Sequence, residues 1–251
     1  MRIALITGGT SGIGRGITEQ YLSEDYFVYC VGLGTAHIIE CKNEITSESI
    51  TYLQGDLSQE DFAQDVASTI EKTHGKLDVL VNAAGVYLGS GGIDEPVERW
   101  RQMLDINLIG LFAITHKCYP LLKKGAHPSI INISSVCSLH PYSSCTSTCY
   151  SVSKAGVDLF TKRLAKELAK DHIRVNAINP GVVTSNIWQR CGTQREDHEE
   201  WKERMRDERH PLGRTGEPQD IAHLASFLAS SKSEWMTGSI IPLDGGYSVT
   251  S

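Results

Sequence analysis

Long hydrophobic runs are absent from this sequence of 251 residues. A membrane-spanning helix needs roughly 18 or more consecutive apolar residues, and no segment of the chain comes close to that length. The apolar stretch near the start, residues 3–6, has about four residues. The core of a signal peptide needs roughly 7–15. We therefore expect a cytoplasmic protein without a membrane partner.

The sequence also lacks an excess of basic residues. Its 24 lysines and arginines are outnumbered by 30 aspartates and glutamates, which gives a formal net charge of −6. Proteins that bind nucleic acids or anionic membranes through a broad surface need that surface to be basic. The composition therefore disfavours nucleic acid as a partner.

A metal-binding cysteine pattern is missing as well. The seven cysteines share no repeated spacing, and no second pair of cysteines or histidines accompanies the close pair Cys145 and Cys149. A zinc site would need such a second pair. We expect no bound metal, and reduced, structural thiols. The alternative is that Cys137, Cys145 or Cys149 is a reactive thiol at the mouth of a substrate site.

What the sequence does contain is an alternation of short apolar runs and longer amphipathic stretches. Continuous apolar runs are typical of parallel strands that are covered on both faces. The predicted strands are residues 3–6, 27–31, 50–53, 77–81, 129–133, 173–178 and 239–243, and the predicted helices are 14–24, 59–73, 98–123, 150–170 and 217–229. This order predicts an α/β fold, a Rossmann-type doubly wound parallel sheet of about seven strands with helices on both faces. A single domain over residues 1–251 is expected.

Two stretches interrupt the alternation. Residues 32–49 contain Gly32, Gly34 and several β-branched residues, so we expect a short or irregular helix there. Residues 184–214 form a long, charged insertion, which we interpret as a substrate lid with a helix at 196–207.

A glycine-rich turn follows the first predicted strand. Glycines there let the backbone turn tightly and approach a pyrophosphate without an intervening Cβ atom. The helix that begins at the turn offers free N–H groups and the positive end of its dipole to the anion. Such loops often serve only to reverse the chain, but this position in an alternating pattern predicts dinucleotide binding. The expected contacts are Gly8, Thr10, Ser11, Gly12, Ile13 and Gly14.

Further motifs follow the glycine turn in a definite order. The glycines are spaced Gly8-x-x-x-Gly12-x-Gly14, and after them come Asp56-Leu57, Asn82-Ala83-Ala84-Gly85, Asn107, Tyr150-x-x-x-Lys154 and Pro180-Gly181. Over residues 2–248 this arrangement resembles the short-chain dehydrogenase/reductase family. The resemblance implies an NAD(P)-dependent oxidoreductase that interconverts a ketone and a secondary alcohol on a small-molecule substrate.

The resemblance also implies where the rest of the cofactor is bound. Asp56 would contact the adenine, while the backbone of Val183 and the side chain of Thr184 would orient the nicotinamide so that its pro-S hydride is used. Beyond the glycine turn, the expected contacts are Gly32, Leu33, Asp56, Leu57, Asn82, Ala83, Ala84, Gly85, Tyr150, Lys154, Pro180, Gly181, Val183 and Thr184.

Tyr150 and Lys154 are four residues apart, which places them on one face of a helix, one turn from each other. A phenol with a pKa near 10 is a poor base at neutral pH, but a neighbouring ammonium group lowers that pKa. By itself such a pair is common on surface helices. Within a dinucleotide-binding fold, it predicts that Tyr150 is the catalytic acid/base.

The family resemblance adds Ser135 and Asn107 to the catalytic set. The Ser135 hydroxyl would bind the substrate oxygen and stabilise its developing negative charge, and Ser134 is the alternative. Asn107 would distort its helix, and its main-chain carbonyl would hold a water molecule next to Lys154.

The choice between NAD and NADP depends on the end of the second strand. An acidic residue there would bind the ribose 2′-hydroxyl and exclude a 2′-phosphate, but the sequence has Gly32 followed by Leu33. Ser11 stands where some NADP-dependent relatives carry a basic residue. With no acidic residue to repel the phosphate, NADP is marginally favoured, and Thr35 or His37 are candidate contacts.

Three segments are expected to surround the substrate, at residues 87–95, 136–149 and 185–214. Fatty-acyl or steroid pockets call for a denser apolar lining than these segments offer, so we expect a small polar, hydroxylated or carboxylated substrate. The alternative function is a non-catalytic dinucleotide-binding sensor or scaffold on the same fold. Such a protein would be expected to have lost Tyr150 or Lys154.

Apolar residues on more than one face of helices 98–123 and 150–170, such as Phe112 and Leu159, call for a further partner. The resemblance supplies it as the same two helices of a second subunit, with another contact at the C-terminal strand. Two such two-fold interfaces give a D₂ homotetramer, and a dimer is the alternative.

Overall fold

The computed structural model describes residues 1–88, 92–142, 145–184, 203 and 209–250. Within these residues, the apolar runs form one parallel sheet in the order β3-β2-β1-β4-β5-β6-β7. The strands are β1 (Arg2–Thr7), β2 (Tyr26–Gly32), β3 (Ile50–Gln54), β4 (Val79–Asn82), β5 (Ser129–Ile133), β6 (Arg174–Pro180) and β7 (Ile240–Leu243). The predicted doubly wound sheet is confirmed. Because the strand order reverses between β1 and β4, a crevice opens at their carboxyl ends.

The alternating sides of β1 explain why its sequence is continuously apolar. Ile3 and Leu5 belong to the core on one face of the sheet, whereas Ala4 and Ile6 belong to the core on the other. Successive side chains of a strand point to opposite faces, so both faces of this central strand exclude water.

The helices flank the sheet on both sides. They are α1 (Gly12–Ser23), α2 (Thr35–Glu44), α3 (Glu60–Thr73), α4 (Val97–Leu104), α5 (Gly110–Leu122), α6 (Thr148–Leu168) and α7 (Pro218–Ala229). Buried residues of α3, α5 and α6 form one core with the sheet, and those of α1 and α7 form the other. Burial of these apolar surfaces is the main force that holds the helices to the sheet.

Three predicted helical regions differ in detail from the structure. Residues 32–49 contain a regular helix of ten residues, α2, because Ile38 and Cys41 give it a buried side despite the preceding glycines. The predicted helix 98–123 is divided into α4 and α5 by a π-helical turn, Asp105–Ile109. The predicted helix at 196–207, apart from Glu203, lies outside the described residues.

The start of α7 follows the sequence expectation. Pro218 occupies its first turn, and the Glu217 N–H donates to the Asp220 carboxylate, 2.8 Å away, as part of a capping box. Such a cap satisfies backbone donors that the helix itself leaves without partners.

Candidate active site

A cleft crosses the carboxyl ends of the central strands where the strand order reverses. The predicted site residues that line it are Gly8, Thr10, Ser11, Gly12, Ile13, Gly14, Gly32, Leu33, Asp56, Leu57, Ala83, Ala84, Gly85, Ser135, Tyr150, Lys154, Pro180, Gly181 and Val183. The predicted residues Asn82, Asn107 and Thr184 lie outside this lining.

The glycine turn brings backbone atoms so close together that side chains would not fit. Gly8 has a φ of +66°, and a Cβ atom on it would lie 2.9 Å from the Ala84 Cα atom. A Cβ atom on Gly14 would lie 2.2 Å from the carbonyl oxygen of Gly8. The first turn of α1, Gly12 to Gly14, lines the cleft directly. This cradle fits a dinucleotide pyrophosphate, which needs close backbone approach and helix N–H donors.

Side-chain hydrogen bonds tie the glycine turn to the end of β4. Thr7 Oγ1 accepts from the N–H groups of Ala83 and Ala84, each at 3.1 Å. Asn82 is buried and its amide donates to Thr115 Oγ1 and to Asn132 Oδ1. Asn82 thus supports the segment that lines the cleft without belonging to the lining itself, and its contact with a cofactor stays a prediction.

The end of β2 is packed against the glycine turn. A Cβ atom on Gly32 would lie 2.6 Å from Thr10 Oγ1, so this position has no room for the acidic side chain of an NAD-selective site. Leu33 is 62% exposed and lines the cleft. The candidate contact Thr35 lies outside the lining, and its hydroxyl accepts from Gln54 Nε2 at 2.7 Å.

His37, the other candidate contact, also lies outside the lining, with Nδ1 3.7 Å from Glu40 Oε2. Beyond β3, Asp56 lies in the lining and its Oδ1 accepts from the Ser58 N–H at 2.9 Å. That bond fixes the turn where the adenine contact is expected, beside the buried Leu57.

Tyr150 and Lys154 lie in the first two turns of α6. The helix is capped by Ser147, whose Oγ accepts from the Tyr150 N–H at 3.3 Å. Lys154 Nζ lies 5.7 Å from the centre of the Tyr150 ring and donates to the Ile133 carbonyl at 2.9 Å. Burial lowers the pKa of Lys154 to about 8, against the opposing effect of the negative charge on Asp158. The amine is therefore poised to change its charge near physiological pH.

Ser135 and Ser134 have different environments. Ser134 Oγ donates to the main-chain carbonyl of Lys154 at 3.1 Å, which joins β5 to α6. Ser135 Oγ accepts from the Cys137 N–H at 3.2 Å and caps the short 3₁₀ turn Val136–Ser138. As an acceptor, this hydroxyl keeps its own hydrogen for another partner, which favours Ser135 over Ser134 for binding a substrate oxygen.

Asn107 lies at the centre of the π-helical turn and is fully buried. Its Oδ1 accepts from the Val86 N–H at 2.8 Å, and its Nδ2 donates to the Val86 carbonyl at 2.9 Å and to Ser153 Oγ at 3.1 Å. These bonds offset the cost of an Asn inside a helix and hold the loop after β4 against α6. Wide turns of this kind occur mostly at functional sites.

Pro180, which ends β6, and Gly181 and Val183, which follow it, also line the cleft. Thr184 donates its hydroxyl to Glu217 Oε1 at 3.3 Å. Its side chain therefore contacts the start of α7, and its contact with a nicotinamide stays a prediction.

Cys137 and Cys145 form a disulfide bond, with their Cα atoms 5.7 Å apart. The expectation of reduced thiols is thus wrong for these two residues, because the loop between Ser135 and α6 folds back on itself and brings them together. Both line the cleft. Among the other cysteines that the structure describes, Cys30, Cys41, Cys118 and Cys149 are free and buried, while Cys191 lies outside the described residues.

Aromatic rings that the motifs do not mark form part of the wall. The Tyr87 ring meets the Tyr150 ring edge-on at 5.0 Å. Tyr247 also lines the cleft, and its ring meets Tyr142 at 5.1 Å and His210 at 5.4 Å. Tyr87 falls in a segment expected to surround the substrate. Tyr247 follows β7, and no local pattern in the sequence connects it to a site.

Comparison with known proteins identifies the family. A family model described as enoyl-(acyl carrier protein) reductase matches residues 8–248. A 3-oxoacyl-[acyl-carrier-protein] reductase FabG of Thermotoga maritima is similar to this chain, with 33% identity covering 98% of this chain and 97% of the relative. This chain belongs to the short-chain dehydrogenase/reductase family.

Two solved structures are similar to this short-chain dehydrogenase/reductase over nearly their full length. The Pseudomonas aeruginosa RhlG/NADP active-site complex has a TM-score of 0.89 and 30% identity, covering 98% of this chain and 96% of that one. A ligand-free aldohexose dehydrogenase of Thermoplasma acidophilum has a TM-score of 0.88 and 27% identity, covering 100% and 95%.

As a short-chain dehydrogenase/reductase, the chain is an NAD(P)-dependent oxidoreductase that acts on carbonyl and alcohol groups. The predicted family, fold class and enzyme class are confirmed. Across the described residues, none of the helices combines the length and apolar character that a membrane crossing requires. Most of the predicted substrate wall at 185–214 lies outside those residues.

Proposed function

We propose that this short-chain dehydrogenase/reductase prefers NADP(H) and interconverts a ketone and a secondary alcohol, with Tyr150 as the proton donor and acceptor. The observation that carries the proposal is that Tyr150, Lys154 and the glycine turn line one cleft. A non-catalytic sensor or scaffold would not need the Tyr150–Lys154 pair, so we favour the enzyme.

Each proposed catalytic residue has a distinct task. A bound nicotinamide cofactor would supply the hydride to the carbonyl carbon or accept it from the alcohol. Tyr150 would donate its phenolic proton to the carbonyl oxygen during reduction and remove a proton from the alcohol during oxidation. Lys154, as an ammonium group, would favour the phenolate form of Tyr150. Ser135 would donate a hydrogen bond to the substrate oxygen and stabilise its developing charge.

The proposed preference for NADP rests on the end of β2. Neither Gly32 nor Leu33 can bind a ribose 2′-hydroxyl as an acidic residue would, and the tight contact of Gly32 with Thr10 leaves no room for one at that position. A 2′-phosphate would therefore meet no negative side chain at these two positions. The similar RhlG structure is an NADP complex, which supports the same choice.

For the substrate, we propose a small polar carbonyl compound with hydroxyl or carboxyl groups. The similar Thermoplasma enzyme is an aldohexose dehydrogenase, which supports a polyhydroxylated substrate. A 3-oxoacyl thioester is a second candidate, because the FabG relative is a 3-oxoacyl reductase and Val86, Val136 and Val182 give the described lining an apolar part.

A substrate panel tests these proposals. Oxidation of NADPH and of NADH would be followed with polyhydroxylated ketones, 2-oxo acids and short 3-oxoacyl thioesters, and reduction of NADP+ and of NAD+ with aldoses. We expect turnover with NADPH and the polar carbonyl compounds. Faster turnover of the thioesters would select the second candidate. Tight NADPH binding without turnover of any compound would favour the sensor and contradict the enzyme.

The proposed assembly is a homotetramer. Phe112 on α5 is 50% exposed and Leu159 on α6 is 63% exposed, so these helices present apolar side chains away from their own sheet. A second copy packed on the same helices would cover them. Sedimentation velocity at micromolar concentration should give four times the chain mass. A fully active monomer would contradict the proposal.

A further inference from the structure

A buried carboxyl group lies next to the proposed catalytic residues and has no task in the chemistry described above. Asp158 follows Lys154 by about one turn of α6 and is 8% exposed. Its hydrogen-bond partners, Ser138 and Asn179, are neutral. Removing a carboxylate from water is costly unless such bonds hold it. The sequence motifs do not mark this residue.

Both partners of Asp158 also hold the backbone of Ser135. Asn179 Nδ2, at the carboxyl end of β6, lies 3.0 Å from Asp158 Oδ2 and 2.9 Å from the Ser135 carbonyl oxygen. Ser138 Oγ lies 2.5 Å from Asp158 Oδ2 and can donate its one hydrogen to it, while the Ser138 N–H donates to the same Ser135 carbonyl oxygen at 3.1 Å. A change at Asp158 would therefore be transmitted to the Ser135 backbone through two routes.

The position of the Ser135 hydroxyl depends on this arrangement. Ser135 begins the 3₁₀ turn Val136–Ser138, and its Oγ is held by the Cys137 N–H within that turn. Since Ser138 ends the turn and is bound to Asp158, the carboxylate anchors the turn to α6. The same helix carries Tyr150, so the anchor sets the relative position of the two hydroxyl groups that would bind the substrate oxygen.

We propose that Asp158 is a positioning residue, which fixes the turn that carries Ser135 and stabilises the ammonium group of Lys154. The proposal rests on the proposed function, because it takes Ser135 to bind the substrate oxygen and Lys154 to act as a cation. Asp158 itself does not touch the substrate or the cofactor in this scheme.

The charges around Lys154 give Asp158 its electrostatic role. On α6, Lys154 faces the titratable Tyr150 and feels the negative charge of Asp158, which raises the lysine pKa against the effect of burial. Among the described residues, the groups that β5 and the π-helical turn bring near it are neutral. The Ile133 carbonyl accepts a hydrogen bond from Lys154 Nζ. Asn107 Oδ1 and Lys154 Nζ both face Gly85, because a Cβ atom added to Gly85 would lie within 3.4 Å of each. Removing the Asp158 charge should therefore lower the Lys154 pKa further.

Asp158→Asn tests both parts of the proposal. We expect kcat for carbonyl reduction to fall about tenfold, with an unchanged Kd for NADPH measured by fluorescence. The alkaline limb of the kcat/KM profile should move to lower pH by about half a unit or more. The ¹³Cε shift of Lys154 in ¹³C-lysine-labelled protein, assigned with Lys154→Arg, should titrate at correspondingly lower pH. This last readout does not require turnover.

Three further variants separate the contributions. Ser138→Ala keeps the charge of Asp158 but removes one bond, so it should lower kcat a few-fold and leave both titrations unchanged. Ser138→Thr keeps the hydroxyl and should restore kcat. Glu167→Gln removes the same charge from an exposed position on α6 and should behave like the unaltered protein in every assay.

The outcomes distinguish a failure of the positioning role of Asp158 from a failure of the proposed function. Asp158→Asn with unaltered kcat, pH profile and Lys154 titration would overturn the positioning role, even if its melting temperature fell. If Asp158→Asn did not fold, unaltered kcat in Ser138→Ala would overturn it. Retention of turnover by Tyr150→Phe would instead contradict the proposed function, and the Lys154 titration would still decide the electrostatic role of Asp158.

Discussion

The two ends of the cleft differ in composition: main-chain atoms form one end and side chains form the other. At the proposed cofactor end, main-chain atoms of the glycine turn meet the loop after β4, and a Cβ atom on Gly14 would lie 2.2 Å from a carbonyl oxygen. At the proposed substrate end, the described wall consists of side chains, with aromatic rings from separate segments and the Cys137–Cys145 disulfide. Gly8 and Gly14 at the first end leave no room for a Cβ atom, whereas the second end is formed by side chains.

This difference accounts for how a family can share a cofactor site and still vary in substrate. A backbone cradle recognises a pyrophosphate, which is common to all dinucleotides, and needs the same glycines each time. A side-chain wall on loops changes with each substitution or insertion without disturbing the sheet. Substitutions at the two ends should therefore have effects of different size and kind.

Gly14→Ala should produce the largest effect on cofactor binding. The new methyl group would overlap the Gly8 carbonyl, and relieving such overlap typically costs about 1–3 kcal/mol. We expect the Kd for NADPH to rise roughly 10–100-fold, as measured by fluorescence titration. Gly92→Ala is the matched control, since a Cβ atom there has no neighbour within 4 Å. Unaltered binding in Gly14→Ala would show that the cradle is not the cofactor site.

Leu33 offers an intermediate test of the cofactor end, because its side chain is exposed in the cleft. Leu33→Asp would place a negative charge near a 2′-phosphate and should raise the KM for NADPH about tenfold while sparing NADH. Leu33→Arg, the matched variant of opposite charge, should lower the KM for NADPH. If both variants left the NADPH/NADH ratio unchanged, selectivity would have to be set elsewhere.

The disulfide provides the smallest expected effect, at the substrate end. Reduction by a dithiol opens the loop between Ser135 and α6 and should raise the substrate KM a few-fold through lost preorganisation, with the Kd for NADPH unchanged. Cys137→Ser/Cys145→Ser should show the raised KM without reductant and no further response to it. If the substrate KM is the same with and without the dithiol, the disulfide does not contribute to substrate binding.

The contrast between local patterns and contacts made by folding also explains which features could be predicted from the sequence. The strands, the glycine turn and the Tyr150–Lys154 pair were predictable because each depends on local spacing and periodicity. The supporting role of Asn82, the Thr184–Glu217 bond and the Cys137–Cys145 pairing depend on distances between segments that are remote in the fold or joined by an irregular loop. Local patterns carry no signal for such distances.

The Ser138–Asp158–Asn179 arrangement was missed for the same reason. Ser138 follows β5, Asp158 lies on α6 and Asn179 is the last but one residue of β6. Each residue is ordinary in its own segment, since a polar residue in a turn or on a helix most often faces solvent. Only the packing of α6 against the sheet brings the three together.

The central claim is that Tyr150 transfers the proton in a cleft that also binds the cofactor. Tyr150→Phe tests it most directly, because it removes one hydroxyl group and leaves the ring that packs on Tyr87. Turnover of the best substrate from the panel and the Kd for NADPH should be measured on the same preparation. The account predicts a loss of turnover of roughly 10²-fold or more, as for the loss of a general acid, with an unchanged Kd for NADPH. Near-normal turnover in Tyr150→Phe would contradict it.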